Sequence, residues 1–317
     1  MARLDELRLM TKVSRLYYER GLQQSEIAVF LQMSQATVSR LIKRAHDENI
    51  VRTTIHPPKG VYPELEDAIV ARFGLSNAIV ADAVLDEDEV VLRDIGAAAA
   101  YYLETSIRNG EVIGISSWSA TLLAMVEVMH AVPGMKKVKV VQILGGVGNP
   151  SAEMYATRLV SRLARLVHGE AIFLQAPGVV GSADSLKVLL EDPYLRASFD
   201  LIDSVTLALV GIGEVKPSSL LSISGNVFNP GELEELRCRG AVGDILVRFF
   251  DRNGSPVDSP LNERVVGMTL EQLSRVERAV GIAGGRRKVD AIRAALAARL
   301  VNVLITDRFT AGRLLES

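Results

Sequence analysis

Apolar residues follow two different patterns along the chain. In the first segment they recur every three or four positions, which places them on one stripe of a helix: Leu4, Leu7, Met10, Val13, Leu16 and Tyr17. From about residue 61, short β-branched runs alternate with helical patterns and glycine-containing turns, which is typical of an α/β fold. Residues 50–55 are strand-like, and a proline pair follows them. We therefore predict an N-terminal domain of residues 1–56 and a second domain of residues 57–317.

The second domain contains short apolar runs that we predict to be strands: 78–83, 112–115, 138–144, 171–175, 205–210, 245–250 and 301–306. Helical patterns lie between them at 90–107, 121–129, 151–167 and 288–300. Runs such as VKVVQIL and VTLALV are apolar at nearly every position, whereas a half-exposed strand would alternate. The pattern therefore predicts a mostly parallel sheet covered by helices on both faces.

Residues 24–43 have the length and spacing of a helix-turn-helix. The positions that face inward in such a pair are apolar here, with a small residue where the helices cross: Ile27, Ala28, Leu31, Val38 and Leu41. Gln32 lies in the turn, where glycine is common, and Ser34 is the predicted N-cap of the second helix. The N-terminal domain is therefore predicted to be all-helical.

The outward face of the second predicted helix carries residue types that read a DNA groove: Ser34, Gln35, Thr37, Ser39, Arg40, Lys43 and Arg44. Glutamine can bond adenine and arginine can bond guanine, while hydroxyls and lysine can contact phosphates. The first 60 residues hold ten basic and six acidic residues, whereas the remainder holds 26 basic and 32 acidic ones. This charge bias favours double-stranded DNA as a partner of the N-terminal domain. The alternative is a solvated helical hairpin attached to an enzyme.

Composition restricts the remaining possibilities. With 317 residues, 48% hydrophobic and 23% charged, the chain has enough apolar residues for two folded domains and too many for a disordered protein. The single cysteine, Cys238, excludes an intramolecular disulfide framework and a multi-thiolate zinc site. We find neither an uncharged apolar run of about 20 residues nor a secretory signal. We therefore expect a cytoplasmic protein that uses no cofactor.

Four loops of the second domain are rich in small residues and lead towards helices: 116–121, 145–149, 211–213 and 284–288. Such loops present backbone N–H groups to an anion, and the carboxyl ends of parallel strands meet at one edge of a sheet. The first loop holds four hydroxyls, of which helix capping explains one. Lys288 lies in the first turn of the last long helix, where it could reinforce a phosphate site or be a surface lysine. The loops together predict a phosphate-binding site.

Three further side chains have several possible roles. Asp244 begins an otherwise apolar run and could bond sugar hydroxyls, act as an isomerase base or cap a turn. Trp118 could form the floor of a sugar site or fill the core. Arg248 is expected on the exposed side of the predicted strand 245–250. The acidic run at 85–89 is interpreted as a solvated helix start.

Several motifs resemble those of the SorC-type sugar-binding transcriptional regulators. They are the helix-turn-helix of 24–43, GISSWSATL at 114–122, QILGGVG at 142–148, LQAP at 174–177, GAVGDILVRFFD at 240–251 and AGGRRKVDAIRAAL at 283–296. The resemblance covers nearly the whole chain. It implies a bacterial regulator of carbohydrate catabolism that acts as a dimer or tetramer. It also implies a Rossmann-like α/β effector domain that is similar to sugar-phosphate isomerases and binds a phosphorylated sugar.

The resemblance also implies the residues of the effector site. By position, the phosphate would be bound by Ser117, Ser119, Thr121, Gly285 and Lys288, while Gly145 and Gly146 would line the pocket and Asp244 would contact sugar hydroxyls. The first loop departs from the usual shorter Gly-Ile-Ser-Trp-Gly form, and the second loop contains no lysine for a covalent imine. The alternative function is a sugar-phosphate isomerase or deaminase with an accessory helical domain. The four histidines all lie outside the glycine loops, which disfavours such catalysis.

Overall fold

The computed structural model describes residues 2–52, 57–226 and 228–316. Its contacts divide the chain into two compact units, Met1–Pro58 and Lys59–Ser317. No helix among the described residues is both long enough and apolar enough to cross a membrane. Of the strand-like segment 50–55, residues 50–52 form no strand and the rest lies outside the described residues.

The described part of the N-terminal unit is helical. It contains α1 (Ala2–Ser14), which continues into a π-helical turn at Arg15–Glu19, followed by α2 (Gln24–Phe30) and α3 (Gln35–Asp47). Four of the five predicted inward positions are buried, and the fifth, Leu31, packs against the same cluster. Gln32 has a φ of 51°, the left-handed conformation that explains why glycine is common in this turn. The predicted helix-turn-helix is therefore confirmed.

The main sheet of the second unit contains the strands β1 (Asn77–Ala81), β2 (Val112–Ile115), β3 (Lys139–Gln142), β4 (Glu170–Ile172), β5 (Leu207–Gly211), β8 (Arg278–Ile282) and β9 (Val303–Asp307). Their order in the sheet is β1-β9-β8-β5-β2-β3-β4, and the described pairs are all parallel. Two large clusters of buried apolar side chains surround these strands. The predicted parallel α/β fold is therefore confirmed.

Helices connect and cover the strands. They are α4 (Pro63–Phe73), α5 (Asp88–Ser106), α6 (Ala120–Val128), α7 (Pro150–Leu166), α8 (Ala183–Glu191), α9 (Pro193–Ile202), α10 (Ser219–Ser224), α11 (Pro230–Cys238), α12 (Leu270–Arg275), α13 (Val289–Ala297) and α14 (Arg308–Leu315). The four helices predicted from the sequence correspond to α5, α6, α7 and α13. A 3₁₀ turn at Arg286–Lys288 leads into α13, so this helix starts one residue later than predicted.

The prediction of a single strand at 245–250 is wrong. This segment forms an antiparallel hairpin of β6 (Gly243–Ile245) and β7 (Arg248–Phe250) outside the main sheet. Leu246 and Val247 make the turn with φ values of 57° and 61°, a conformation that normally favours glycine or asparagine. Because both residues are buried and apolar, the turn is indistinguishable from a continuous strand in the sequence.

Arg248 is not on an exposed side as expected. Its guanidinium group is enclosed and donates hydrogen bonds of 2.8–3.2 Å to four backbone carbonyls, those of Asn262, Val265, Gly267 and Met268. Burial lowers the pKa of Arg248 to about 10. The side chain therefore ties the β6-β7 hairpin to residues 262–268.

Candidate functional site

A cavity of about 400 Å³ opens at the carboxyl ends of the parallel strands. Residues that follow β2, β5 and β8 line it together with the turn of the β6-β7 hairpin. Three of the four predicted loops therefore meet here, whereas the loop 145–149 does not reach the cavity. Its volume and its position match those of small-molecule sites in open α/β sheets.

Five of the predicted effector residues line the cavity: Ser119, Thr121, Asp244, Gly285 and Lys288. Thr121 and Trp118 are each 4% exposed and form part of the floor. The indole Nε1 of Trp118 donates a 2.9 Å hydrogen bond to the carbonyl oxygen of Gly145, so this side chain both lines the cavity and packs in the core. Ser119 is the N-cap of α6, because its Oγ accepts a 3.3 Å hydrogen bond from the Leu122 N–H.

The other three predicted residues lie outside the lining, where they hold loops together. The Ser117 hydroxyl donates a 2.6 Å hydrogen bond to the carbonyl oxygen of Leu144. A Cβ on Gly145 would lie 2.2 Å from the carbonyl oxygen of Pro177, and one on Gly146 would lie 2.1 Å from Nε2 of Gln142. Close packing of the loops therefore accounts for both glycines without a ligand.

Gly145→Ala is expected to lower the free energy of unfolding by about 1–3 kcal/mol, because the added methyl group would overlap a backbone carbonyl. Gly181→Ala is the matched control, since nothing lies within 4 Å of its Cβ position, and its change should stay within about 0.5 kcal/mol. Denaturant titration measures both changes. A Gly145→Ala protein of unchanged stability that loses ligand affinity would contradict the packing role.

Asp244 is fixed at the cavity wall by the hairpin turn. Its Oδ2 accepts a 3.0 Å hydrogen bond from the Val247 N–H, and its backbone exchanges two hydrogen bonds with Gly213, of 2.9 and 3.1 Å. Burial raises the pKa of Asp244 to about 6, against the opposing effects of the Val247 N–H and the Lys288 ammonium group. The carboxylate thus caps the turn with one oxygen while it lines the cavity.

Lys288 lies just before α13 and lines the same cavity as Asp244. Burial lowers its pKa, while the carboxylates of Asp244, Glu214 and Asp88 favour the charged form. The N–H of Gly285, in contrast, is already engaged, because it donates to Asp307 Oδ2 at 3.1 Å and to Thr310 Oγ1 at 2.8 Å. Of this loop, the Lys288 side chain is therefore the better candidate for contact with an anion.

Sequence reasoning missed several charged residues that also line the cavity: Asp88, Glu214, Lys216 and Arg287. Asp88 belongs to the acidic run that was interpreted as a solvated helix start, and it is indeed the first residue of α5. Arg287 immediately precedes Lys288 in the same loop. Glu214 directly follows the predicted loop 211–213, so loop membership could have indicated both Arg287 and Glu214, whereas only long-range contacts bring Asp88 to the cavity.

The predicted DNA-reading residues lie on or at the start of α3. Gln35, Ser39, Arg40 and Lys43 are exposed. Ser34 caps the helix, because its Oγ accepts a 3.2 Å hydrogen bond from the Thr37 N–H and is 2.8 Å from the Thr37 hydroxyl. Arg44 forms ion pairs with Glu6 of α1 and with Glu48. Arg44 therefore has ion-pair partners within the domain, whereas the exposed Arg40 makes only two long hydrogen bonds within α3, to the Ala36 carbonyl at 3.4 Å and to the Thr37 hydroxyl at 3.5 Å.

A helix-turn-helix joined to an α/β unit with a polar, cation-bearing cavity defines a ligand-responsive transcriptional regulator. Residues 61–316 match the family model described as "Putative sugar-binding domain". The chain belongs to the SorC-type family of sugar-binding transcriptional regulators.

Individual relatives span the whole chain. It is 30% identical to the deoxyribonucleoside regulator of Bacillus subtilis, over 98% of each chain. It is also 30% identical to the sorbitol operon regulator of Klebsiella pneumoniae, over 100% of each chain. The crystal structure of full-length SorC from K. pneumoniae superimposes with a TM-score of 0.74 at 28% identity, covering 98% of this chain and 100% of that one. The similarity therefore includes both the N-terminal unit and the sugar-binding unit.

Proposed function

We propose that this protein regulates carbohydrate catabolism by binding double-stranded operator DNA through α3, under the control of a phosphorylated sugar that binds in the cavity. The observation that carries the effector part is the placement of Lys288 and Asp244 in one lining at the carboxyl edge of the sheet. An ammonium group suits a phosphate, and a carboxylate suits sugar hydroxyls. The N-terminus of α6, which Ser119 caps, is the positive end of the helix dipole and therefore also favours an anion.

We assign the effector a reversible binding mode. The loop 142–149 contains no lysine that could form an imine with an open-chain sugar. Among the described residues that line the cavity there is no histidine, and one oxygen of Asp244 is held by the hairpin turn. These features favour a ligand that is bound without being converted. Product formation during incubation with sugar phosphates would favour an isomerase or deaminase activity instead.

The proposal extends to the assembly. One helix-turn-helix buries too little surface for tight, specific binding, so two-fold related copies would contact half-sites about 10 base pairs, or a multiple of this, apart. A homodimer or a homotetramer would supply these two copies. We place this assembly in the cytoplasm. The two full-length relatives named above are described as regulators, one of them of the sorbitol operon. Their names support a carbohydrate-derived effector for this chain.

A thermal-shift screen tests the effector. The purified protein is heated with sugar phosphates, with the corresponding free sugars and polyols, and with inorganic phosphate. A ligand at 100 times its Kd adds about 2.7 kcal/mol of stability, so the effector should raise the Tm clearly. Stabilisation by a phosphorylated sugar supports the proposal, whereas stabilisation only by a free sugar or polyol removes the phosphate role of Lys288.

Arg40→Ala is expected to weaken operator binding by about 1–3 kcal/mol and to relax the preference at one base pair, because a bidentate arginine–guanine contact has this effect. Lys43→Ala should instead weaken binding to all sequences and reduce the salt dependence by about one phosphate contact. Electrophoretic shifts measure both, with operators selected from a random DNA library and a series of salt concentrations. Unchanged affinity and preference after Arg40→Ala would remove Arg40 from the interface.

Effector affinity is expected to fall as the pH decreases from 7 to 5. The pKa of Asp244 is raised to about 6, so the ionised carboxylate that accepts sugar hydroxyls is present above this pH and is lost below it. A sugar phosphate also titrates near pH 6. The Asp244→Asn variant, measured with the same ligand, therefore shows how much of the pH dependence comes from the phosphate. Titration calorimetry should show a steeper pH dependence for the wild type than for the variant. Equal slopes would show that another group is responsible.

A further inference from the structure

The chain that leads from the N-terminal unit into the second unit is held against the end of β1. Pro57 and Pro58 precede a turn at Gly60, which has a φ of 89°, and Tyr62 follows as the N-cap of α4. The Tyr62 hydroxyl donates a hydrogen bond to Oδ1 of Asp82, the first residue after β1. A Cβ built on Gly60 would lie 2.9 Å from the other oxygen of this carboxylate, so the turn packs directly on Asp82.

Arg308, the first residue of α14, binds the segment that begins with Asp82. Its Nε donates a 2.8 Å hydrogen bond to the carbonyl oxygen of Ala83 and lies 3.6 Å from Oδ1 of Asp82. Its Nη2 donates a 3.4 Å hydrogen bond to the carbonyl oxygen of Val84. The side chains of Arg308 and Asp82 are 35% and 45% exposed, so their ion pair is weak and can break and re-form at low cost. We call Tyr62, Asp82 and Arg308 the linker clasp.

The residue before Arg308 is bound firmly to the loop that precedes α13. Asp307 is fully buried, and its Oδ2 accepts hydrogen bonds from the Gly285 N–H at 3.1 Å and from the Thr310 hydroxyl at 2.6 Å. Its Oδ1 accepts hydrogen bonds of 2.9 Å from the N–H groups of Phe309 and Thr310. Because this buried carboxylate has four donors, a displacement of the loop at Gly285 displaces the start of α14, and Arg308 with it.

A second connection runs through the segment 82–88. Its last residue, Asp88, pairs at 2.6 Å with Arg287 of the loop 284–288, and its first residue, Asp82, belongs to the linker clasp. Four of the five residues of the loop 284–288 line the cavity. The loop therefore connects the cavity to the linker clasp by two routes, one through the end of β9 and the start of α14 and one through the segment 82–88.

We propose that the linker clasp transmits ligand binding between the cavity and the DNA-binding unit. A ligand that shifts the loop 284–288 changes the contacts of Asp82 with Tyr62 and Gly60, and with them the direction in which the chain leaves the second unit. The two prolines before Gly60 have a restricted φ, so they carry a change at the turn onward instead of absorbing it. This inference rests on the proposed function and adds the residues that couple its two sites. By linkage, operator binding must then act on the loop 284–288 with the same coupling.

Hydrogen exchange of the full-length protein with operator DNA tests the transmission without a known effector. Operators are selected from a random DNA library, and the exchange of peptides is followed by mass spectrometry with and without DNA. In the wild type, operator binding should change the exchange rates of the segment 82–88 and of the loop 284–288 at least twofold. In Asp82→Ala, which removes the carboxylate of the linker clasp, the change at 284–288 should be lost although the variant still binds the operator.

Tyr62→Phe keeps the test decisive if Asp82→Ala fails to fold. This variant removes a single hydroxyl group, and it should reduce the change at 284–288 by at least half. Tyr101→Phe is its control, since Tyr101 is 70% exposed on α5 and does not belong to the linker clasp. Asp184→Ala is the control for Asp82→Ala, since Asp184 also forms one ion pair at an exposed position but lies outside the clasp and the cavity lining. Both controls should respond to the operator as the wild type does.

The effector response gives a second, independent measurement. The probes are glucose 6-phosphate, fructose 6-phosphate, ribose 5-phosphate and sorbitol 6-phosphate, each beside its free sugar or polyol. A probe that changes the operator Kd of the wild type at least tenfold should change that of Asp82→Ala less than twofold. The Kd of the same probe for the protein without DNA should stay within threefold of the wild-type value. A merely structural defect would instead weaken the binding of both probe and operator.

The outcomes separate this inference from the proposed function. Operator binding by the wild type without changed exchange at 82–88 and 284–288 overturns the transmission, and so do clasp variants that respond as the wild type does. Both results leave a DNA-binding regulator in place. If none of the four probes acts, the exchange measurement decides by itself. Failure to select any DNA that the protein binds overturns the proposed operator binding, and the inference with it.

Discussion

Arg248→Met is expected to lower the free energy of unfolding of the second unit by about 3–5 kcal/mol, the cost typical of breaking a buried charged contact. The reason is that one guanidinium satisfies four backbone carbonyls of residues 262–268. Methionine fills a similar volume but donates no hydrogen bond, so these carbonyls lose their charged partner. Urea denaturation followed by fluorescence or circular dichroism measures the change.

Two comparisons show whether the geometry of the Arg248 side chain is responsible. Arg252→Met changes the same residue type at an exposed position four residues further along, and its effect should stay within about 0.5 kcal/mol. Arg248→Lys keeps a charge but cannot reproduce the planar fork, so it should recover only part of the stability. Equal losses for Arg248→Met and Arg252→Met would contradict this account.

Lys288→Met is expected to weaken effector binding by about 2–5 kcal/mol, which is roughly 30- to 4,000-fold in Kd. The side chain is partly shielded from water, and its loss leaves the phosphate without its main counter-charge and Asp244 without a neighbouring ammonium group. The effector should then no longer alter operator binding at concentrations that act on the wild type. The operator affinity without effector should remain within about twofold of the wild type, because Lys288 does not belong to the N-terminal unit.

Calorimetry and effector-dependent electrophoretic shifts measure the two consequences of Lys288→Met. Lys187→Met is the control, since Lys187 is 74% exposed, pairs with Asp184 and does not line the cavity. A normal effector response in Lys288→Met would rule out Lys288 as the phosphate ligand. A loss of DNA binding without effector would point to a defect of the whole protein and not of the site.

Local sequence patterns predicted most of the helices and strands, because the apolar residues on their buried faces recur every few positions. The helix-turn-helix core and six of the seven predicted strands correspond to observed elements. The interior strand β8 was missed, because Gly281 interrupts the apolar run of RAVGI. The β6-β7 hairpin was read as one strand because its turn consists of Leu246 and Val247, and tertiary packing imposes the left-handed backbone there.

The sequence alone determined the class of the protein: an all-helical unit with a helix-turn-helix, a parallel α/β unit, and loops rich in small residues at the carboxyl ends of the strands. These features depend on periodicity, on capping and on loop composition, all of which are local. Tertiary structure alone decided which residues line the cavity. It placed Gly145 and Gly146 outside the cavity lining, against the Pro177 carbonyl and the Gln142 side chain, and it brought Asp88 to Arg287 across 199 residues of sequence. The physical reason is that the electrostatic environment of a site is set by all charged groups that lie near it in space. The periodicity of a sequence does not show which distant residues become such neighbours.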